Sequence, residues 1–272
     1  MSIKYSSYPA FWDLLALIVI FAFCQAVVVV LAKLTGFLPE FTNIEELEQS
    51  VTASVRRGQS LAVVYPLGMI FSIFAIMAYI KGRGCRLKRP SFSLRGFDPM
   101  ITFLGLFWLF STGIIIEPIC EMLPSANYDA IGLGGWACIN VVVAAPVLEE
   151  ILFRGIILES FINRCRTWIA ILCSSIIFGV LHGLNGQACM AIVVGILFAI
   201  IYLKTKSLFS TIILHAVNNA VGFLLISIHK NDYTYHEFIG NDSIYIVVYA
   251  ISCVVWLLVG WYFVRGLHLL KK

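Results

Sequence analysis

The chain has 272 residues, of which 60% are hydrophobic and only 12% are charged, whereas soluble domains carry about 25% charged residues. This composition excludes an ordinary water-soluble domain, because such a fold could not hide that much apolar surface. The net charge is +4, but the basic residues lie in short segments between apolar stretches. They indicate orientation in a membrane, and we expect the lipid bilayer, not a nucleic acid, as a partner.

Apolar segments of membrane-spanning length follow one another along the chain. A run of about 17 to 25 apolar residues can cross a hydrocarbon core of about 30 Å as a helix. The hydropathy pattern predicts eight spans, at 12–33, 61–80, 99–120, 136–158, 168–184, 188–203, 207–228 and 243–264. We therefore expect an all-α membrane protein, a polytopic bundle of about eight transmembrane helices that forms one domain over 1–272.

The basic residues predict how the bundle is oriented. The segment KGRGCRLKRPSFSLR at 81–95 is rich in lysine and arginine, and such loops lie in the cytoplasm. Alternate threading from this loop puts 14 of the 19 basic residues inside and 4 outside. We expect both termini in the cytoplasm and the long connection at 34–60 on the external side.

The fourth span contains VLEEILFRG at 147–155, which places two adjacent carboxylates and an arginine in an apolar helix. Ionisable groups are costly there and usually face the bundle interior, where they serve function. Glu150 and Arg154 are four residues apart with the acid first, which favours an ion pair on one helix face. Glu149 is rotated by about 100° from Glu150, so it can point into a water-filled pocket.

Two further motifs place histidines in the fifth and seventh spans. FGVLHG at 178–183 predicts Phe178 and His182 on one face of a helix, with Gly179 and Gly183 on a face that permits a close helix neighbour. HAVNN at 215–219 predicts His215 and Asn219 on one face of another helix. Counted from the cytoplasmic loops, these polar groups and the Glu149 carboxylate lie roughly 12–23 Å into the core. They can therefore meet near mid-membrane.

The ordered set EExxxR, FxxxH and HxxxN on successive spans resembles the CPBP family of intramembrane proteases, which includes CAAX prenyl endoproteases and Abi-type bacteriocin-processing proteins. The resemblance covers about 140 to 225, and we place a catalytic core at 136–228. It implies an endopeptidase in a bacterial inner membrane that hydrolyses a peptide bond near mid-membrane. The substrate would be a membrane protein or a lipidated peptide.

The resemblance also implies a role for each residue. Glu149 is the general base that activates water, His182 helps to hold that water, and His215 with Asn219 stabilises the oxyanion. Glu150, Arg154 and Phe178 support the site. The chemistry is consistent with this assignment, because amide hydrolysis needs a base near a water and donors aimed at the developing negative charge.

Metal dependence is a separate question, since the family is commonly classed among metalloproteases. Glu149, His182 and His215 could form a zinc site of two histidines and a carboxylate with an open position. Asn219 is a poor zinc ligand, so we expect at most a weakly held divalent metal. The chain has no HExxH, no GxSxG and no presenilin-like aspartate pair, which disfavours zincin, serine and aspartyl mechanisms.

Two other functions remain open from the sequence. The chain could be a non-catalytic immunity or scaffold member of the same family, although it keeps every motif residue. It could also be a membrane cytochrome in which His182 and His215 are axial haem ligands, but that function leaves the acid pair unexplained.

Overall fold

The computed structural model describes residues 9–37, 51–85, 97–124, 131–229 and 234–265. Within these ranges every regular element is helical. The helices are α1 (Phe11–Leu34), α2 (Val51–Gly82), α3 (Pro99–Cys120), α4 (135–162), α5 (Thr167–Val180), α6 (Gly186–Thr205), α7 (Leu208–His229), α8 (Tyr235–Ile239) and α9 (Asp242–Val264).

Six of the described helices are long and apolar enough to cross a membrane: α1, α2, α3, α6, α7 and α9. Helix α5 is also apolar but has only 14 residues. Helix α4 coincides with the predicted fourth span, and its α-helical stretches are separated by two π-helical segments. The prediction of an all-α integral membrane bundle is confirmed, while the count of eight spans is approximate.

Helix α6 occupies the centre of the bundle. It is the most buried of the six candidate spans, at 61%, against 11% for α1 and α9. Its contact with α5 is close at two glycines, one on each helix. A Cβ added at Gly179 would lie 2.2 Å from Ile192 Cγ1, and one added at Gly195 would lie 3.1 Å from Ser175 Cβ. Gly179 therefore permits the close helix neighbour that its spacing predicted.

The end of α5 differs from the sequence prediction. The helix ends at Val180, so His182 and Gly183 lie in the connection to α6 and not on a helix face. Gly183 adopts φ +115°, a conformation that glycine accepts without the penalty of a Cβ. Two residues later the Asn185 side chain accepts a hydrogen bond from the Ala188 N–H at 3.1 Å, and this cap starts α6.

Helix α2 is longer than expected. It begins at Val51, so residues 51–60 are helical and do not belong to the connection predicted for 34–60. The segments 38–50 and 86–96 lie outside the described residues. They include about half of that connection and most of the basic loop on which the predicted orientation depends.

Candidate active site

A proline changes the backbone register of α4 just before its acidic pair. Pro146 has no N–H to donate, and the preceding N–H, that of Ala145, bonds to Asn140 O five residues back. With the same five-residue spacing, Val141 O would accept from the backbone N–H of residue 146, which proline lacks. The Asn219 amide on α7 donates to Val141 O instead, at 3.0 Å. A backbone carbonyl released by proline thus joins α4 to α7.

Glu150 and Arg154 form the ion pair that their spacing predicts. Arg154 Nη1 lies 2.8 Å from Glu150 Oε1, and Nη2 donates to Gly195 O on α6 at 3.2 Å. Glu150 is fully buried and Arg154 is 2% exposed. The guanidinium also lies over the rings of Phe178 and Phe198, with its Cζ 4.8 and 5.4 Å from their centroids. The charges are therefore compensated inside the bundle.

Glu149 is buried too, but its carboxylate faces a different set of groups. Oε1 accepts a hydrogen bond from the Tyr65 hydroxyl on α2. Oε2 lies 3.7 Å from Nε2 of His182 and 3.7 Å from Nε2 of His215. Within the part of the chain that the structure describes, Oε2 has no hydrogen-bond partner. One oxygen is therefore held in place, and the other is free to accept.

Both imidazoles are oriented through Nδ1. His182 Nδ1 lies 2.7 Å from Phe178 O, and His215 Nδ1 lies 3.0 Å from Glu150 Oε1. Since a carbonyl and an ionised carboxylate only accept, each Nδ1 is assigned the hydrogen. In the neutral rings the Nε2 lone pairs then face Glu149 Oε2. Three acceptors converge, so their hydrogen bonds require a donor that none of the three supplies.

His215 contacts both carboxylates, which the sequence did not predict. Its Nδ1 faces Glu150 and its Nε2 faces Glu149, so the two acids are linked through one ring. Phe178 packs against both imidazoles, with its ring centroid 4.4 Å from that of His182 and 5.9 Å from that of His215. Phe178 thus holds the two rings on the same side of the carboxylate.

Asn219 lies one helical turn beyond His215 and is set slightly apart. Its Nδ2 donates to Val141 O, and its Oδ1 accepts from Asn218 Nδ2 at 3.4 Å. Among the described residues it makes no hydrogen bond to Glu149, His182 or His215. The other six predicted residues form one cluster, whereas Asn219 reaches it only through the backbone of α4. One amide hydrogen of Asn219 stays available to a substrate.

Tyr65 also belongs to the site, and the sequence did not predict it. It lies on α2, 84 positions before the glutamate it contacts, and no motif includes it. A tyrosine inside a membrane span needs a partner for its hydroxyl, and this was the only available signal. Tyr79 gives the same signal but binds Asp13 at 2.7 Å, so the sequence could not single out Tyr65.

The donor set of the cluster has the chemistry of a zinc site, but its spacing does not fit one. The ligand atoms of a tetrahedral zinc lie about 3.3 Å apart, whereas Glu149 Oε2 is 3.7 Å from each Nε2. Among the described residues no group of three His, Cys, Asp or Glu side chains is positioned to hold a metal ion.

The fold and this cluster define a helical membrane protein with a buried site of carboxylates and histidines. Residues 132–221 match the family model described as Type II CAAX prenyl endopeptidase Rce1-like, and they contain all three motifs. Over this segment, about a third of the chain, the resemblance to CAAX proteases that the motifs predicted is confirmed.

A curated relative agrees with this family. The chain is similar to a protein of Bacillus subtilis (strain 168) named "Putative membrane peptidase YdiL", with 34% identity over 77 residues. The aligned segment is 28% of this chain and 32% of that protein, so the match spans about a third of the relative. No solved structure matches the chain.

Proposed function

We propose that the protein is an intramembrane endopeptidase in which Glu149 activates a water molecule for attack on a peptide bond. The observation that carries this proposal is the Glu149 carboxylate: Oε2 is buried, has no hydrogen-bond partner among the described residues and faces the Nε2 atoms of His182 and His215. A general base must lie within reach of the proton it removes, and a water between these atoms meets that condition.

Each step follows from the contacts of Glu149. The water donates one hydrogen to Glu149 Oε2 and the other to an imidazole Nε2. As its oxygen attacks the carbonyl carbon, the proton moves to Oε2, and the carbonyl oxygen becomes an oxyanion. The protonated Glu149 then gives that proton to the leaving amine nitrogen as the C–N bond breaks. Tyr65 keeps Oε1 occupied by a hydrogen bond, so that Oε2 is the oxygen that accepts the proton from the water.

The oxyanion needs donors, and the hydrogen assignment limits which groups can serve. His215 Nδ1 already donates to Glu150, so its Nε2 can donate only when both ring nitrogens carry hydrogen. The proposed role of His215 therefore requires the imidazolium form, and the neutral His182 is then the ring whose Nε2 accepts from the water. Asn219 can contribute the amide hydrogen that Val141 O does not use. A single oxyanion donor is worth about 100- to 1000-fold in turnover.

The substrate class follows from burial and from the family. Because Glu149 is 6% exposed inside a membrane bundle, a peptide must enter the bilayer region to reach it. We propose a membrane protein or a lipidated peptide as substrate, and the family's description as prenyl endopeptidases supports the second.

The two alternative functions differ from proteolysis in the contacts that they require of the histidines or in the expected effect of replacing Glu149. Axial haem ligands approach one iron from opposite faces of the macrocycle, whereas the two imidazoles here face one carboxylate oxygen. A non-catalytic immunity or scaffold protein would keep its biological effect without an active carboxylate, so a Glu149→Gln variant separates that role from proteolysis.

The test compares membrane peptides from cells that express wild-type protein, Glu149→Gln or Glu121→Gln. Glu121 is an exposed glutamate outside the cluster, so its variant makes the same chemical change without touching the site. We expect quantitative mass spectrometry to find cleavage products in wild type and Glu121→Gln and none in Glu149→Gln at equal protein levels. Products that persist in Glu149→Gln would refute the mechanism.

A further inference from the structure

A cavity on the side of α6 away from Arg154 has no part in the proposed chemistry. It encloses 660 Å³ between α3, α6 and α9, within the range of about 300–1,000 Å³ that is usual for small-molecule sites. Its walls are apolar side chains apart from Thr112 and Arg265. The Thr112 hydroxyl is already engaged, since it accepts from Trp256 Nε1 at 3.1 Å and donates to Trp108 O at 2.7 Å.

The cavity opens toward the lipid side of the bundle. Leu257 and Trp261 line it and are both 63% exposed, while Trp108 at the back is 4% exposed. An aliphatic chain can therefore enter sideways from the bilayer and lie against buried apolar side chains. Trp108 Nε1 is buried without a hydrogen-bond partner among the described residues, but a polar metabolite would still lose most of its hydration against these apolar walls.

One end of the cavity is positively charged. Arg265 lines that end, and Lys204 Nζ lies 2.9 Å from the Arg265 backbone carbonyl. The two cations lie over aromatic rings, Arg265 over Trp261 at 4.9 Å and Lys204 over Tyr262 at 5.3 Å. Within the described residues neither cation contacts a carboxylate. Both therefore have hydrogen-bond donors left for an external anion.

We propose that this cavity binds one acyl chain of an anionic glycerophospholipid and that Arg265 and Lys204 hold its phosphate. The apolar walls, the lateral opening and the cations at one end match an acyl chain attached to an anionic headgroup. Basic pockets between membrane helices recognise anionic headgroups in this way.

The test is native mass spectrometry of the full chain with equimolar phosphatidylglycerol and phosphatidylcholine of identical acyl chains. Each nearby cation favours an anionic headgroup by about fivefold, so we expect about a 25-fold preference for one bound phosphatidylglycerol. The double variant Lys204→Gln/Arg265→Gln should lose this preference. Lys81→Gln/Arg166→Gln changes the net charge equally at positions outside the cavity and should keep it.

A second pair of variants tests the acyl chain. Leu257→Trp narrows the cavity mouth, whereas Leu258→Trp makes the same change at a neighbouring side chain that is 65% exposed and does not line the cavity. We expect only Leu257→Trp to lose the bound lipid. Equal binding of both lipids by wild type, an unchanged preference in the Lys204→Gln/Arg265→Gln variant, or equal loss in both tryptophan variants would overturn the proposal.

Discussion

Replacing Arg154 tests whether the buried ion pair is structural. The Arg154→Met variant keeps an apolar stem of similar length but leaves the Glu150 carboxylate, which is 0% exposed, without its cation. It also removes the donor to Gly195 O. Breaking a buried pair by removing one partner costs about 3–5 kcal/mol. At about 2–4 °C per kcal/mol for a chain of this size, the melting temperature should fall by about 6–20 °C.

A second variant separates the lost charge balance from lost packing. In Glu150→Gln/Arg154→Met no charge is left behind, and the Gln oxygen still accepts from His215 Nδ1. We expect at least half of the lost stability to return, because an apolar or neutral replacement of both partners is often close to neutral. Arg166→Met removes an exposed arginine and should change stability by less than about 0.5 kcal/mol.

The assay is intrinsic-fluorescence melting of purified protein in one detergent at one scan rate, since unfolding of membrane proteins is often irreversible and rate-dependent. If Arg154→Met melts within about 2 °C of wild type, the pair does not stabilise the fold. If the double variant melts no higher than the single one, the loss comes from packing, and the charge argument is wrong.

Three further predictions concern the site and its surroundings. Tyr65→Phe removes the donor to Glu149, and since hydrogen bonds to charged groups are worth about 1.5–3 kcal/mol, kcat should fall about 10- to 150-fold with little change in KM; an unchanged kcat would remove Tyr65 from the mechanism. Asn219→Ala should lower turnover about 100- to 1000-fold while metal content measured by mass spectrometry stays as in wild type, whereas stoichiometric zinc that is lost with activity on chelation and restores it on return would make His215 a metal ligand. Burial and the neighbouring Cys173 raise the pKa of the Cys165 thiol from 9.0 to about 11, so its thiolate fraction at pH 8 falls about 100-fold and maleimide labelling of Cys165 should be correspondingly slow; rapid labelling at pH 8 would contradict this environment.

Much of the site could be predicted because it depends on local helix geometry. The ion pair of Glu150 with Arg154 follows from a spacing of one helical turn, which brings two side chains together in any α-like helix. The different direction of Glu149 follows from its rotation by about 100°. Composition alone required a membrane, since no soluble fold buries a chain that is 60% hydrophobic.

The remaining features depend on how the helices pack and on where they end. The Tyr65 contact joins residues 84 positions apart, and no periodicity of either segment predicts it. The bridge from His215 to both carboxylates requires a particular rotation of α7 against α4, and the position of His182 depends on a turn at Gly183. Local spacing determines which side chains share a helix face, but only the packed bundle determines which faces meet, because that choice is made by contacts between distant segments.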